Sequence, residues 1–167
     1  MLHLVGKRLP DVALAATSGG PVELNRLPGL AVLFCYPWTG RPGFADPPYW
    51  DEIPGAHGST PQAQAYSMAY GDFRRLGVRL FGVSLQDTEW QCEFIKRMGL
   101  TLRLLSDMDR QFSGRLFLPL FETGGADYLQ RLTLIVRDGV IEHVRFPVPV
   151  PAKDAEETLE MLSRRTP

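Results

Sequence analysis

The chain has 167 residues and a mass of 18.7 kDa, with 44% hydrophobic and 22% charged residues. These proportions suit one globular domain over residues 1–167 and exclude disordered and collagen-like chains. Lys and Arg number 18 against 19 Asp and Glu, a formal net charge of −1, so neither nucleic acid nor an anionic membrane surface is an expected partner.

In the opening stretch, Lys7, Arg8, Pro10 and Asp11 interrupt every apolar run, so no secretory or membrane-spanning segment is expected and the predicted location is cytoplasmic. Val12–Ala16 and Val22–Leu24 flank the turn Ser18-Gly19-Gly20-Pro21 and predict an N-terminal β-hairpin. Leu30–Tyr36 is apolar without alternation, as in a strand covered on both faces. Residues 37–58 are crowded with glycine and proline and predict a long loop of the kind that usually carries function. Ser59-Thr60-Pro61 is a helix-start signal, followed by Tyr66, Ala69, Tyr70, Phe73 and Leu76 at helical spacing, with Gly77 as the stop.

Val78–Ser84 predicts the next strand. Asp87–Met98 predicts a helix capped by Asp87 or Thr88, closed by Gly99 and facing inward through Gln91, Phe94, Ile95 and Met98. A short strand at Leu102–Leu105 and a short helix at Arg110–Phe117 follow. Arg131–Val136 and Val140–Val144 around Asp138-Gly139 form the strongest hairpin signal of the chain, and a last helix runs from about Asp154 to Leu162. This order predicts an α/β domain with a mixed central sheet, helices on both faces and an N-terminal β-hairpin, the plan of a thioredoxin-like fold.

Several stretches in this order resemble a peroxiredoxin of the bacterioferritin comigratory protein or Q type: Gly6–Asp11, Leu33-Phe34-Cys35-Tyr36-Pro37, Leu80–Ser84, Leu104–Asp107 and Arg131–Gly139. The resemblance implies a thiol-dependent hydroperoxide reductase of antioxidant defence, reduced by thioredoxin and built as a monomer or weak dimer, with no cofactor or metal. It aligns Gly58-Ser59-Thr60-Pro61-Gln62-Ala63-Gln64 with a Gly-Cys-Thr-Pro-Gln-Ser-Cys type motif. Ser59 then stands at the peroxidatic position and Gln64 at a resolving one, and both sulfurs are absent. Pro37 matches the proline that shields the active loop, and Arg131 the arginine that steadies thiolate and peroxide. Without the resemblance, Arg131 reads as a salt-bridged residue at a strand edge. The family's threonine three residues before the cysteine is here Ala56, which Thr39 would have to replace by folding back.

A thiolate attacks peroxide and passes through a sulfenic acid, whereas a serine alkoxide is far too basic to form and cannot climb that ladder. No His or Lys flanks Ser59 to act as a base. The residue-level reading of Ser59 is a helix N-cap and of Gln64 an ordinary solvated residue. Three functions follow: a family member without turnover by the usual mechanism, a non-catalytic binding or regulatory protein, or a redox role moved to Cys92 or Cys35. Cys92 lies one helical turn before Ile95, the position where some Q-type relatives carry a resolving cysteine. Otherwise both thiols read as small buried hydrophobes. Trp38, Phe44, Tyr49 and Trp50 either line a partner surface or, preferably, pin the long loop.

Overall fold

The structure is a computed structural model describing residues 1–165. Its strands are β1 (Ala15–Ala16), β2 (Leu30–Cys35), β3 (Arg79–Ser84), β4 (Arg103–Ser106), β5 (Leu120–Thr123), β6 (Ala126–Leu129), β7 (Leu132–Arg137) and β8 (Val140–Arg145); its helices are α1 (Ser59–Met68), α2 (Tyr70–Arg75), α3 (Thr88–Met98), α4 (Gln111–Leu116) and α5 (Asp154–Arg165). A six-stranded sheet of order β1-β4-β3-β2-β7-β8 carries the fold, and β5 and β6 form a separate pair.

The apolar run of β2 is central for a physical reason. Val32 and Phe34 point into one core cluster, Leu33 and Cys35 into the other, and all four are fully buried. Such a strand cannot tolerate a polar face. The parallel steps from β2 to β3 and from β3 to β4 run in one direction across the sheet. Right-handed crossovers therefore lay α1, α2 and α3 on the same face, where Tyr66, Phe73 and Phe94 share a cluster with Ala155 and Leu162 of α5. The chain then returns to the other side of β2, and α4 buries Phe112 and Leu116 on the opposite face. Mixed sheet and two-faced helices agree with the expectation.

The turn Asp138-Gly139 has both φ values positive, 49° and 79°, as a two-residue hairpin demands. Asp138 also ties the turn to the start of β2, its carboxylate accepting from the Gly29 N–H at 2.6 Å.

Two expectations need correction, and one hairpin is additional to them. The N-terminal hairpin shrinks to the single antiparallel bridge Leu14–Val22. Ala15–Ala16 instead pair with β4, and Leu24–Arg26 turn into a 3-10 helix. The helix expected over Ser59–Leu76 is divided at Ala69 into α1 and α2. The β5–β6 hairpin, turned by Gly124-Gly125 with φ of 60° and 78°, was missed, although a Gly-Gly pair between β-prone residues is a hairpin signal.

Candidate active site

Antiparallel pairing of β2 with β7 sets Cys35 opposite Leu132. The start of β7 thus lies beside the end of β2, where the long loop leaves the sheet. Arg131 immediately precedes β7 there. The loop returns through Gly58, whose φ of +114° and whose carbonyl, accepting from the Gln62 N–H at 3.0 Å, mark it as the residue that starts α1. A Cβ at Gly58 would stand 2.7 Å from Pro151, so both the dihedral and the close packing require glycine.

This start corrects the N-cap reading of Ser59. The cap position is Gly58, and Ser59 occupies the first helical turn, 4% exposed. Its hydroxyl satisfies no helix amide; it accepts from Nη1 of Arg131 at 3.1 Å. The same Nη1 donates to Gln62 Oε1 at 2.7 Å, and Nη2 donates to the carbonyls of Gly55, Ala56 and His57 at 3.1, 3.2 and 3.1 Å.

Arg131 is not the salt-bridged edge residue of the residue-level reading, since every one of these acceptors is neutral. Burial lowers its pKa to about 10, offset in part by the charge of Asp154, so the guanidinium stays charged at neutral pH. Gln62 joins it to that carboxylate. The Gln62 Nε2 donates to Asp154 Oδ2 at 3.1 Å, where the hydroxyls of Tyr66 and Thr133 also donate, each at 2.6 Å. Arg145 Nε closes the network on Oδ1 at 2.9 Å.

Gln62 and Asp154 were not foreseen as site residues. The two are 92 positions apart, and Asp154 carried only the signal of a helix start.

Beside Ser59 lies a depression of about 230 Å³, lined among others by Trp38, Thr39, His57, Thr60 and Pro61. His57 is anchored through Nε2 to Asp51 at 2.5 Å, and no hydrogen bond joins it to Ser59 among the described residues. Thr39 does not replace the threonine missing at Ala56, because its hydroxyl donates to Gln86 at 3.2 Å.

The other expected site residues are dispersed. Gln64 is exposed on α1. Pro37 is buried and lines a neighbouring cleft rather than the Ser59 depression. Trp50 is 4% exposed, with its ring centroid 5.6 Å from Trp38 and 5.2 Å from Tyr128. These aromatics do pin the loop, while Phe44 and Tyr49 stay open to solvent.

The two thiols do not form a pair. Cys35 projects into the cluster on one face of the sheet, whereas α3, which carries Cys92, packs Phe94 into the other. Both are free, and the Cys92 thiol donates to the Thr17 carbonyl at 3.6 Å. Burial, with the charge of Asp107 adding, pushes the Cys35 thiol up to about 12. At pH 8 an aromatic disulfide reagent should therefore modify one thiol, Cys92, quickly, and Cys35 only after denaturation. Two fast thiols in the native protein would contradict the burial of Cys35. Because the folded value lies above that of an exposed thiol, the buried Cys35 is tolerated while neutral, and stability falls as the pH rises through the alkaline range toward 12.

No helix is long and apolar enough to cross a membrane, and no cluster of potential metal ligands occurs among the described residues.

Residues 4–160 match the Redoxin family model. Over 162 residues the chain is 29% identical to "Peroxiredoxin Q, chloroplastic" of Sedum lineare, covering 94% of this chain and 76% of that protein. The japonica rice protein of the same description is 28% identical over 158 residues, 94% of this chain and 65% of its own length, so the chain spans about two thirds of that relative. The structure is similar to a cysteine-to-serine mutant of peroxiredoxin Q from Xylella fastidiosa, with a TM-score of 0.78 and 20% identity over 98% of this chain and 97% of that one.

Proposed function

We propose that this chain, which belongs to the redoxin family, is a peroxiredoxin of the Q type that keeps the scaffold of a thiol-dependent hydroperoxide reductase while Ser59 leaves it without turnover by the usual mechanism. The family's partners are a hydroperoxide and a thioredoxin-type reductant. In this reading the chain meets them, or a regulatory partner, as a binding protein in the cytoplasm, as a monomer or weak dimer.

One observation carries the reading. The Arg131 guanidinium lies 3.1 Å from an oxygen, Ser59 Oγ, at the first turn of a helix. A helix start and a neighbouring cation lower a thiol into the neutral range, but a hydroxyl begins too basic for the same help to ionise it. Oxygen also has no counterpart of the sulfenic acid through which electrons reach the reductant.

The test is hydrogen peroxide consumption with thioredoxin and its reductase. The expected rate is indistinguishable from that without protein. A catalytic rate that disappears in Cys92→Ser would move the chemistry to Cys92 and overturn the reading.

A further inference from the structure

Between the end of β2 and the start of α3 lies a second depression, of about 210 Å³, which neither Ser59 nor Arg131 lines. Three aromatic residues, Trp38, Trp90 and Tyr128, and two acidic ones, Asp87 and Asp127, line it together with Gln86. The volume is below the roughly 300–1,000 Å³ of sites for drug-sized ligands, so it suits a head group rather than a whole molecule.

The rings are fixed before anything binds. Trp90 Nε1 donates to the Thr39 carbonyl at 2.7 Å. Trp38 stands with its centroid 5.6 Å from Trp50 and 6.1 Å from Trp90. Tyr128 rests against Trp50 and Phe121 at 5.2 and 5.5 Å. A cation meeting such rings pays little ordering entropy.

The charged residues that line the depression are of one sign. No Lys or Arg lines the depression. Asp127 is paired with Arg110 at 2.6 Å, whereas Asp87 caps α3 through the Trp90 N–H and has no ion-pair partner among the described residues. The aromatic corner next to it already draws a cation: the Arg41 guanidinium lies 5.5 Å from the Phe44 centroid and 5.7 Å from that of Trp90.

Hydrogen-bonding capacity narrows the class of cation. Gln86 Oε1 accepts from Thr39 and Ser84, and its Nε2 donates to the Thr39 carbonyl. A primary ammonium would find acceptors on the carboxylates alone, and its remaining N–H groups would meet the rings unmatched, at a desolvation cost. A quaternary ammonium has no N–H to satisfy and is attracted by ring faces. We propose that this cleft binds a quaternary or fully methylated ammonium head group, held by Trp38, Trp90 and Tyr128 and balanced by Asp87. The proposal is independent of the chemistry at position 59.

Choline chloride titrated into the protein at constant ionic strength, followed by tryptophan fluorescence, tests it. The uncharged isostere 3,3-dimethylbutanol is titrated in parallel. The expected result is a saturable change with choline and an apparent affinity about 2- to 30-fold weaker for the isostere, the span of one cation–π contact. Asp87→Asn keeps a good N-cap and removes the charge, so it should weaken choline and leave the isostere unaffected. Tyr128→Leu, checked for native circular dichroism, should weaken choline by a similar factor. Equal affinities for choline and isostere, no saturable response to choline, or variants that bind choline as well as the native protein would each overturn the proposal.

Discussion

Ser59→Cys is expected to convert a protein inert toward hydrogen peroxide into one that is oxidised stoichiometrically at residue 59. The new thiol would occupy the first turn of α1 with Arg131 Nη1 at the distance now spanned to Ser59 Oγ, 3.1 Å. An ordinary thiol of pKa about 8.5 is only about 3% ionised at pH 7. A helix start and a guanidinium together bring such thiols to about 3.5–7.5, which raises the thiolate fraction at pH 7 by about 8- to 30-fold. The step is balanced: the thiolate takes one peroxide oxygen, the O–O bond breaks, and the departing hydroxide leaves as water after protonation. Residue 59 becomes a sulfenic acid. Since Gln64 supplies no resolving thiol, the sulfenic acid should persist long enough for a cyclic 1,3-diketone to trap it, and an external thiol should return it to the thiol. Mass spectrometry reads the adduct. An unmodified Ser59→Cys protein with native circular dichroism would mean that Arg131 does not support a thiolate there, and the binding role would stand alone.

What sequence reading could reach here follows the range of the interactions. The β2 run, the Asp138-Gly139 hairpin and the capped helix from Thr88 to Met98 are local patterns, and they appear as expected. The Asp87 cap is visible as well, its Oδ1 accepting from the Trp90 N–H at 2.8 Å. The Val22 segment failed because a two-sided turn signal says where a chain reverses but not with which strand it pairs. Ala15–Ala16 found a better edge on β4.

At the site, Ser59 and Arg131 are in hydrogen-bond contact, although the serine's role as a cap did not survive. A serine before a helix is an N-cap only if the residue before it cannot take that position, and Gly58 with its left-handed dihedral can. The separation of Cys35 from Cys92 depends on which face of the sheet each helix covers, and residue spacing along the chain does not state it. Gln62 and Asp154 were invisible for the same reason: a hydrogen bond between distant segments leaves no periodicity.

That bond leads to the largest stability effect. Asp154 is fully buried and takes hydrogen bonds from Gln62, Tyr66, Thr133 and Arg145, drawing α1, β7, β8 and α5 to one carboxylate. Asp154→Ala should lower unfolding stability by about 3–5 kcal/mol, because removing one partner of a buried pair leaves the others desolvated and unmatched. Asp154→Asn keeps an acceptor and loses the charge, so a smaller loss is expected, about 1.5–3 kcal/mol, the worth of hydrogen bonds to a charged group. Urea midpoints at unchanged slope report both; a Asp154→Ala loss below about 1 kcal/mol would show that the network contributes little to folding. The same carboxylate also positions the site, since Gln62 is held by Asp154 on one side and accepts from Arg131 on the other. In the Ser59→Cys background, Asp154→Asn should therefore slow sulfenic acid formation even under conditions where the protein remains folded. An unchanged rate would separate the two roles and leave Asp154 as a purely structural group.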